Sequence, residues 1–322
     1  MYTFKDIDEN EYELERNPEI KSSKNLWKYV RKNPINTTQK NNRNEFVYKN
    51  NFFGEDIYFG EVIGSIIAKA TIKNGCDAEL VRKPRHFKGI MDNGVASYYY
   101  FAEGDRPITS FYVMQQYYQN ESRKMCALPR IDDVIKALRL FLYQNHRPES
   151  EQQHIKQQYI DMVLLDCRLG NHDRVLENWM VYEDGKTHEI QIYPMFDNES
   201  VLGFDRPTIG ATPEGIIEYC ENLRMSHIAP SDETRECSKM EDIIKYLWIH
   251  HPEETQVALR KINLFSLEDL SKILGEFPDL LEERKKLVKQ IFITRGLLLK
   301  RYIEEAKKEQ AQVNLMKIKE ND

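Results

Sequence analysis

Leu165-Asp166-Cys167-Arg168-Leu169-Gly170-Asn171-His172-Asp173-Arg174-Val175-Leu176-Glu177-Asn178-Trp179, followed downstream by Tyr193-Pro194-Met195-Phe196-Asp197, is the stretch on which the reading of the chain turns. Ahead of it, Ile155, Tyr159, Met162, Val163 and Leu169 recur at helical spacing within residues 152–169, so a helix with an apolar stripe runs up to Gly170. Behind it, Trp179-Met180-Val181-Tyr182, the turn signal Glu183-Asp184-Gly185-Lys186 and the alternating run His188 to Tyr193 read as a β-hairpin with an Asp-Gly turn. Asp197 follows the second strand. The predicted order is helix, polar loop, hairpin, acid.

That order gives meaning to residues that would be common by chance. Asp173 offers a carboxylate in the loop, Asn178 an amide oxygen at its end, and Asp197 a second carboxylate beyond the hairpin. Phosphoryl transfer asks for such a set: a carboxylate beside the attacking hydroxyl, and oxygen ligands that fix Mg²⁺ on the phosphates. The plainer reading is local. Asp and Asn are favoured in loops because their side chains bond the nearby backbone, and an Asp after a strand often starts a turn. The ordered context favours the chemical reading.

Gly170-Asn171-His172-Asp173 with Asn178-Trp179, and Tyr193-Pro194-Met195-Phe196-Asp197 downstream, resemble the HipA-like serine/threonine kinases, in particular the CtkA-type branch. The resemblance implies an α+β, two-lobed protein-kinase-like fold, with a small β-rich N-lobe and a larger, mainly helical C-lobe. It implies Asp173 as catalytic base, Asn178 and Asp197 as metal ligands, ATP and Mg²⁺ as cofactors, and a protein substrate phosphorylated on Ser or Thr. Phosphatidylinositol kinases, similar in this loop, usually carry His after Asp-Arg, whereas here Val175 follows Arg174. Neither Asn198 nor Glu199 supplies the Gly of an Asp-Phe-Gly motif. A nucleotide-binding module without catalysis, or a kinase for a small molecule or lipid, are the alternatives.

The amino-terminal half is then expected to hold the nucleotide. Leu26 to Val30 and Glu45 to Lys49 read as strands joined by a long polar connection, and Lys49 matches the family's lysine for the α/β-phosphates. Lys32 is its competitor. Phe59, Val62, Ile63, Ile66, Ile67 and Ala70 mark an amphipathic helix, and Glu61 near its start is placed as the partner of Lys49, or simply as an acid favoured by the helix dipole. The first glycine is Gly54, so a Gly-rich loop before the first hairpin is excluded, and there is no Walker-type motif. Lys21-Ser22-Ser23-Lys24-Asn25 stands where the resemblance places the phosphate loop, so Ser22 and Ser23 become candidate phosphate contacts and autophosphorylation sites; serines in such a position are otherwise ordinary turn residues. The β-prone run Ala96 to Phe101 ends at the breaker cluster Ala102-Glu103-Gly104-Asp105-Arg106-Pro107, the expected hinge, with adenine against residues 101–104 and hence against Phe101 and Glu103.

The predicted organisation is an N-lobe over 1–104, a helical C-lobe over 105–305 and a charged, frayed or flexible tail over 306–322. In the C-lobe, apolar 3.6-residue spacing marks helices over 131–143, 155–169, 215–220, 240–249, 267–274 and 281–305. At 322 residues and 41% hydrophobic the chain can bury a sizeable core. A net charge of −6 argues against nucleic acid as a partner. Cys76, Cys126, Cys167, Cys220 and Cys237 form no Cys-x-x-Cys pair, which speaks against a zinc site or a disulfide framework and for a reducing, cytoplasmic setting. No apolar run approaches membrane-spanning length and the acidic start is no signal peptide, although export without a cleaved leader stays compatible with the sequence.

Overall fold

The computed structural model describes residues 1–8, 10–14, 26–35, 37–49, 56–84, 91–124, 128–206, 212–227 and 237–321. The first part of the chain gives β1 (Lys5–Asp6), β2 (Tyr12–Leu14), β3 (Leu26–Arg31), β4 (Glu45–Lys49), α1 (Asp56–Thr71), β5 (Ala78–Pro84) and β6 (Met91–Tyr98). The strands form a six-stranded sheet in the order β1-β5-β6-β4-β3-β2, with β1 parallel to β5 and the other neighbours antiparallel.

Alternation along β4 decides where its terminal lysine goes. Phe46 and Tyr48 join Ile7, Tyr29, Val81, Ala96 and Tyr98 in a cluster on one face, where Tyr29 stacks on Phe46 at 5.0 Å between ring centroids. The other face sets Leu80 and Val95 against Val62, Ile63 and Ile67 of α1. Lys49 lies directly opposite Val95, and residues opposite one another share a face. Its ammonium therefore leaves the sheet on the α1 side.

The remainder is mainly helical: β7 (Arg106–Thr109), α2 (Ser110–Asn120), α3 (Ile131–Gln144), α4 (Glu149–Leu169), β8 (Met180–Glu183), β9 (Ile190–Ile192), α5 (Pro213–Asn222), β10 (Arg224–Met225), β11 (Ser238–Lys239), α6 (Met240–His250), α7 (Pro252–Asn263), α8 (Leu267–Gly275) and α9 (Glu282–Asn321). β7, β8 and β9 make a small antiparallel sheet. At the centre of this part, α4 packs on α3, α7, α9 and β9 and buries Ile155, Ile160, Val163, Leu164 and Leu165 completely. Each such side chain contributes about 1.5–3 kcal/mol, so α4 is a rigid mount for the loop that follows it.

This is the α+β, two-lobed architecture that the sequence predicts, with differences of detail. The β-prone run ends as a strand at Tyr98 instead of Phe101, because beyond it the backbone bonds to other segments. The breaker cluster contains β7, whose Pro107 is tolerated because the strand lies at a sheet edge. The segment after residue 305, expected to be frayed or flexible, continues α9 as far as Asn321. Among the described residues, no helix is long and apolar enough to cross a membrane.

Candidate active site

The loop after α4 begins where the helix has to stop. Gly170 adopts φ 73°, the left-handed conformation favoured at a helix end. Its N–H and that of Asn171 donate to the Asp166 carbonyl at 2.7 and 3.0 Å, and the buried Arg295 Nε donates to the Cys167 carbonyl at 2.8 Å. Asn171, fully buried, accepts the Asp173 N–H on Oδ1 at 3.3 Å. A single 3₁₀ turn, Leu176–Asn178, then brings Asn178 back beside Asp173. The Asn178 Nδ2 donates to the Asp173 carbonyl and lies 3.4 Å from its Oδ2. With its nitrogen committed in this way, Asn178 keeps Oδ1 as the atom suited to a metal ion.

Arg174, next in sequence to Asp173, is the hub of the site. Its side chain is fully buried, and its five N–H groups find five acceptors. Nε and Nη2 clasp the Asp166 carboxylate at 3.1 Å each; Nη1 donates to the Asn178 carbonyl at 2.9 Å and to the Phe196 carbonyl; Nη2 also reaches Asn198 Oδ1 at 2.7 Å. One guanidinium thus ties the end of α4, the turn carrying Asn178 and the segment carrying Asp197. Burial disfavours the Asp166 carboxylate, but Arg174 and His227, whose Nε2 lies 3.0 Å away, hold its pKa below the ordinary value. Asp166 braces the loop, as its place on the helix suggests. Arg168 does so from the other side, its guanidinium 3.7 Å from the centre of the Phe292 ring. His172 is a loop support, with Nε2 at 3.4 Å from the Asp205 carboxylate.

Asp197 is reached from the amino-terminal lobe. Lys49 Nζ contacts its Oδ1 at 2.6 Å, with both side chains largely buried. Burial works against the ammonium, yet Asp197, Glu61 and Glu199 together hold its pKa well above the usual lysine value. Lys32, the competing lysine, is exposed at the end of β3.

Glu61 departs from its expected role. Among the described residues it makes no ion pair with Lys49. Its fully buried carboxylate accepts the Asp197 N–H at 3.1 Å, the Asn198 N–H, and the Ser97 hydroxyl at 3.2 Å. The reason is geometric: β4 delivers Lys49 close enough to Asp197 to pair with it, and α1 lies against the segment that follows. Asp197 has φ 57°, a left-handed conformation uncommon outside glycine, and the two N–H bonds to Glu61 fasten it there. Asn198, in the position of the Phe of Asp-Phe-Gly, is buried, its Nδ2 donating to Ser65 Oγ at 3.2 Å. The close approach of this segment to α1 requires Gly64, where a Cβ would come within 2.6 Å of Asn198 Cβ.

The hinge also differs in its bonding. The Phe101 carbonyl accepts Asn42 Nδ2 at 3.1 Å, and the Glu103 N–H donates to the Thr37 carbonyl at 2.6 Å. The Glu103 carboxylate accepts the Thr37 hydroxyl at 3.0 Å. These groups, expected to face adenine, are engaged by the β3–β4 connection. The Phe101 N–H donates to no acceptor among the described residues. The Phe101 ring packs on Tyr193 at 4.8 Å and, with Tyr182, Tyr100, Met180 and Phe196, forms an apolar cluster beneath the hinge. Ser22 and Ser23 lie outside the described residues.

The site therefore brings together Lys49, Glu61 and Asp197, and joins Asp173 to Asn178; Arg174 links the two groups through backbone and Asn198. Arg174 and Asn198 were not marked as functional by the sequence. The one cue for Arg174 is its adjacency to Asp173, since a reach to five acceptors depends wholly on tertiary placement.

The fold is two-lobed and kinase-like. In keeping with this, the chain is similar in structure to the Helicobacter pylori proinflammatory kinase CtkA, with a TM-score of 0.70 at 15% identity, over 95% of this chain and 98% of that one. A chain from the Shewanella oneidensis MR-1 complex of the toxin–antitoxin proteins HipA and HipB with operator DNA matches with a TM-score of 0.48 at 12% identity, over 83% of this chain and 60% of that one. No protein-family model matches the sequence, and no curated protein does.

Proposed function

We propose that the protein is an ATP-dependent serine/threonine protein kinase. The observation that carries the proposal is the contact of Lys49 with Asp197 between the lobes, with Glu61 bonded to the Asp197 backbone and the Asp173–Asn178 pair joined to them through Arg174. A catalyst of phosphoryl transfer works by positioning and by charge stabilisation more than by covalent chemistry. A frame this heavily hydrogen-bonded suits that task.

The residues present fit a magnesium nucleotide. Mg²⁺ on phosphates needs one or two protein oxygens and takes its other ligands from phosphate and water. Asp197 and the Asn178 Oδ1 would hold it, and the bound ion would neutralise charge on the phosphates. Lys49, held charged by its acidic neighbours, is suited to exchange Asp197 for the α/β-phosphate oxygens. The Phe101 N–H and the aromatic cluster below it offer a donor and a floor to adenine. Asp173 would orient a Ser or Thr hydroxyl of the acceptor protein. As the hydroxyl oxygen bonds to the γ-phosphorus, its proton passes to Asp173, and the bond from that phosphorus to the bridging oxygen breaks to leave ADP.

Calorimetric titration of the full chain with ATP tests the nucleotide half of the proposal. The wild type is expected to bind ATP more tightly with Mg²⁺ than without it, and Asp197→Asn to lose that difference. Absence of nucleotide binding by the wild type would overturn the reading.

A further inference from the structure

The connection between β3 and β4 does more than join two strands. It leaves the amino-terminal sheet, crosses the hinge and touches the β8–β9 turn of the other lobe. Asn41 N–H donates to the Tyr100 carbonyl at 3.0 Å, Asn42 Nδ2 to the Phe101 carbonyl at 3.1 Å, and Glu103 N–H to the Thr37 carbonyl at 2.6 Å. Beyond the hinge, Lys186 Nζ donates to the Thr38 carbonyl at 3.2 Å.

Lys40 stands at the centre of this crossing. Its ammonium lies 3.1 Å from Asp105 Oδ2 on the hinge side and 2.8 Å from Asp184 Oδ2 in the β8–β9 turn. It also lies 4.1 Å from the centre of the Tyr182 ring and 5.5 Å from that of Tyr100. Asp105, with a side chain only 2% exposed, completes the circuit: its Oδ2 accepts the Ala102 N–H at 2.8 Å and its Oδ1 the Gly185 N–H at 2.9 Å. Gly185 packs against Gly104, where a Cβ would come within 2.4 Å of the Gly104 carbonyl carbon.

We propose that this segment is an interlobe strap, with Lys40 as its fastening, that holds the two lobes at a fixed angle and so limits release of the nucleotide. A hinge that is the sole link between two lobes lets them rotate through a few backbone torsions. Here the lobes are also joined where α1 meets the segment around Asp197 and Asn198, and the β3–β4 connection adds a further non-covalent link at the hinge itself, because Lys40–Asp184 and Thr38–Lys186 join the lobes directly. Opening requires these contacts to break together with the bonds to the hinge backbone. The charges agree with a mutual clamp. Burial disfavours the Lys40 ammonium, but Asp184 and Asp105 raise its pKa, and Lys40 with the Thr187 N–H holds the Asp184 carboxyl below its ordinary value. Product release or lobe opening sets the turnover of many enzymes, so the strap would act on rate through that step.

The consequence for nucleotide release rests on the kinase reading; the strap does not. Hydrogen exchange of the full-length protein, followed at the Ala102 and Glu103 amides, is the test, with Mg-ATP affinity and off-rate measured in parallel. Lys40→Ala is expected to speed exchange at both amides on the order of tenfold, since it removes two charge-assisted bonds and the cation–π contacts with Tyr182 and Tyr100, and to speed release of nucleotide. Asp184→Asn, which keeps the turn's shape, should shift both readouts in the same direction, and Lys40→Arg, able to span both carboxylates, should stay near wild type. Exchange at wild-type rates in Lys40→Ala and Asp184→Asn would overturn the strap, and faster exchange with an unchanged nucleotide off-rate would overturn its control of release. A wild type that binds no nucleotide would overturn the kinase reading, and exchange at the two amides would still decide whether the strap fastens the hinge.

Discussion

Replacing Glu61 by Ala tests how the site is held together. Glu61 is fully buried and accepts three hydrogen bonds, from the Asp197 N–H, the Asn198 N–H and the Ser97 hydroxyl. The Ser97 side chain is half-buried and can turn to water, so two backbone donors, that of Asp197 part-buried and that of Asn198 buried, bear the loss. An orphaned buried donor costs about 1–3 kcal/mol. The Asp197 backbone, at φ 57°, would at the same time lose the bond that holds it in a conformation costing about 1–2 kcal/mol, and relaxation there returns part of the penalty. The net expectation is a destabilisation of about 2–4 kcal/mol, with loss of Mg-dependent ATP affinity because Asp197 is displaced. Glu61→Gln keeps the volume and one acceptor oxygen but turns an NH₂ toward a donor N–H, so it should lie between wild type and Glu61→Ala. Urea unfolding followed by tryptophan fluorescence, to which the buried Trp179 contributes, reads the stability. Both variants within about 0.5 kcal/mol of wild type, the range of a neutral surface change, would refute the idea that Glu61 organises the segment.

Arg174→Met leaves the buried Asp166 carboxylate without its main counter-charge and should cost about 3–5 kcal/mol, read by the same unfolding assay; a smaller effect than that of Arg168→Met would contradict its role as hub. Gly64→Ala places a Cβ 2.6 Å from Asn198 Cβ, and the resulting overpacking should cost about 1–3 kcal/mol and lower Mg-ATP affinity, as measured by unfolding and calorimetry. The Asp166 carboxyl has a folded pKa below its unfolded value, so its contribution to stability is present above the ordinary carboxylate range and is lost as pH falls through the depressed value. Stability measured from pH 6 down to pH 2 should accordingly fall more steeply in the wild type than in Asp166→Asn at the acid end; parallel curves would count against the pair.

Much of this site was readable before the fold, and the unreadable part has a common cause. Gly170, the stripe on α4 and the alternation of the hairpin strands are local signals, set by φ preference and by periods of 3.6 and 2, and they locate Asp173, Asn178 and Asp197 along the chain; the hairpin closes through Asp184–Glu189 instead of a tight Asp-Gly turn. The alternation Phe46-Val47-Tyr48-Lys49 likewise shows which residues share a face. Partners are another matter. That Glu61 binds the backbone at Asp197 and Asn198, while Lys49 pairs with Asp197, depends on how α1 meets a segment far away in sequence. The bonds that occupy the Phe101 carbonyl and the Glu103 N–H come from Asn42 and Thr37, which no local pattern connects to the hinge. Helix α7 is not among the helices expected from apolar spacing; it starts at Pro252, and a proline is at home in a first turn. The tail beyond residue 305 is charged and largely without an apolar stripe in sequence, and its helix continues one already started by α9.

Transfer of label from γ-labelled Mg-ATP by the purified protein, to itself and to a generic basic protein, with Asp173→Ala alongside, tests the account at its centre. The account predicts label on Ser or Thr from the wild type and a rate lowered by about 10²–10⁴ in the variant, the usual loss on removing an acid–base group. Transfer by Asp173→Ala at the wild-type rate, or a wild type that binds Mg-ATP yet labels no protein, would contradict it.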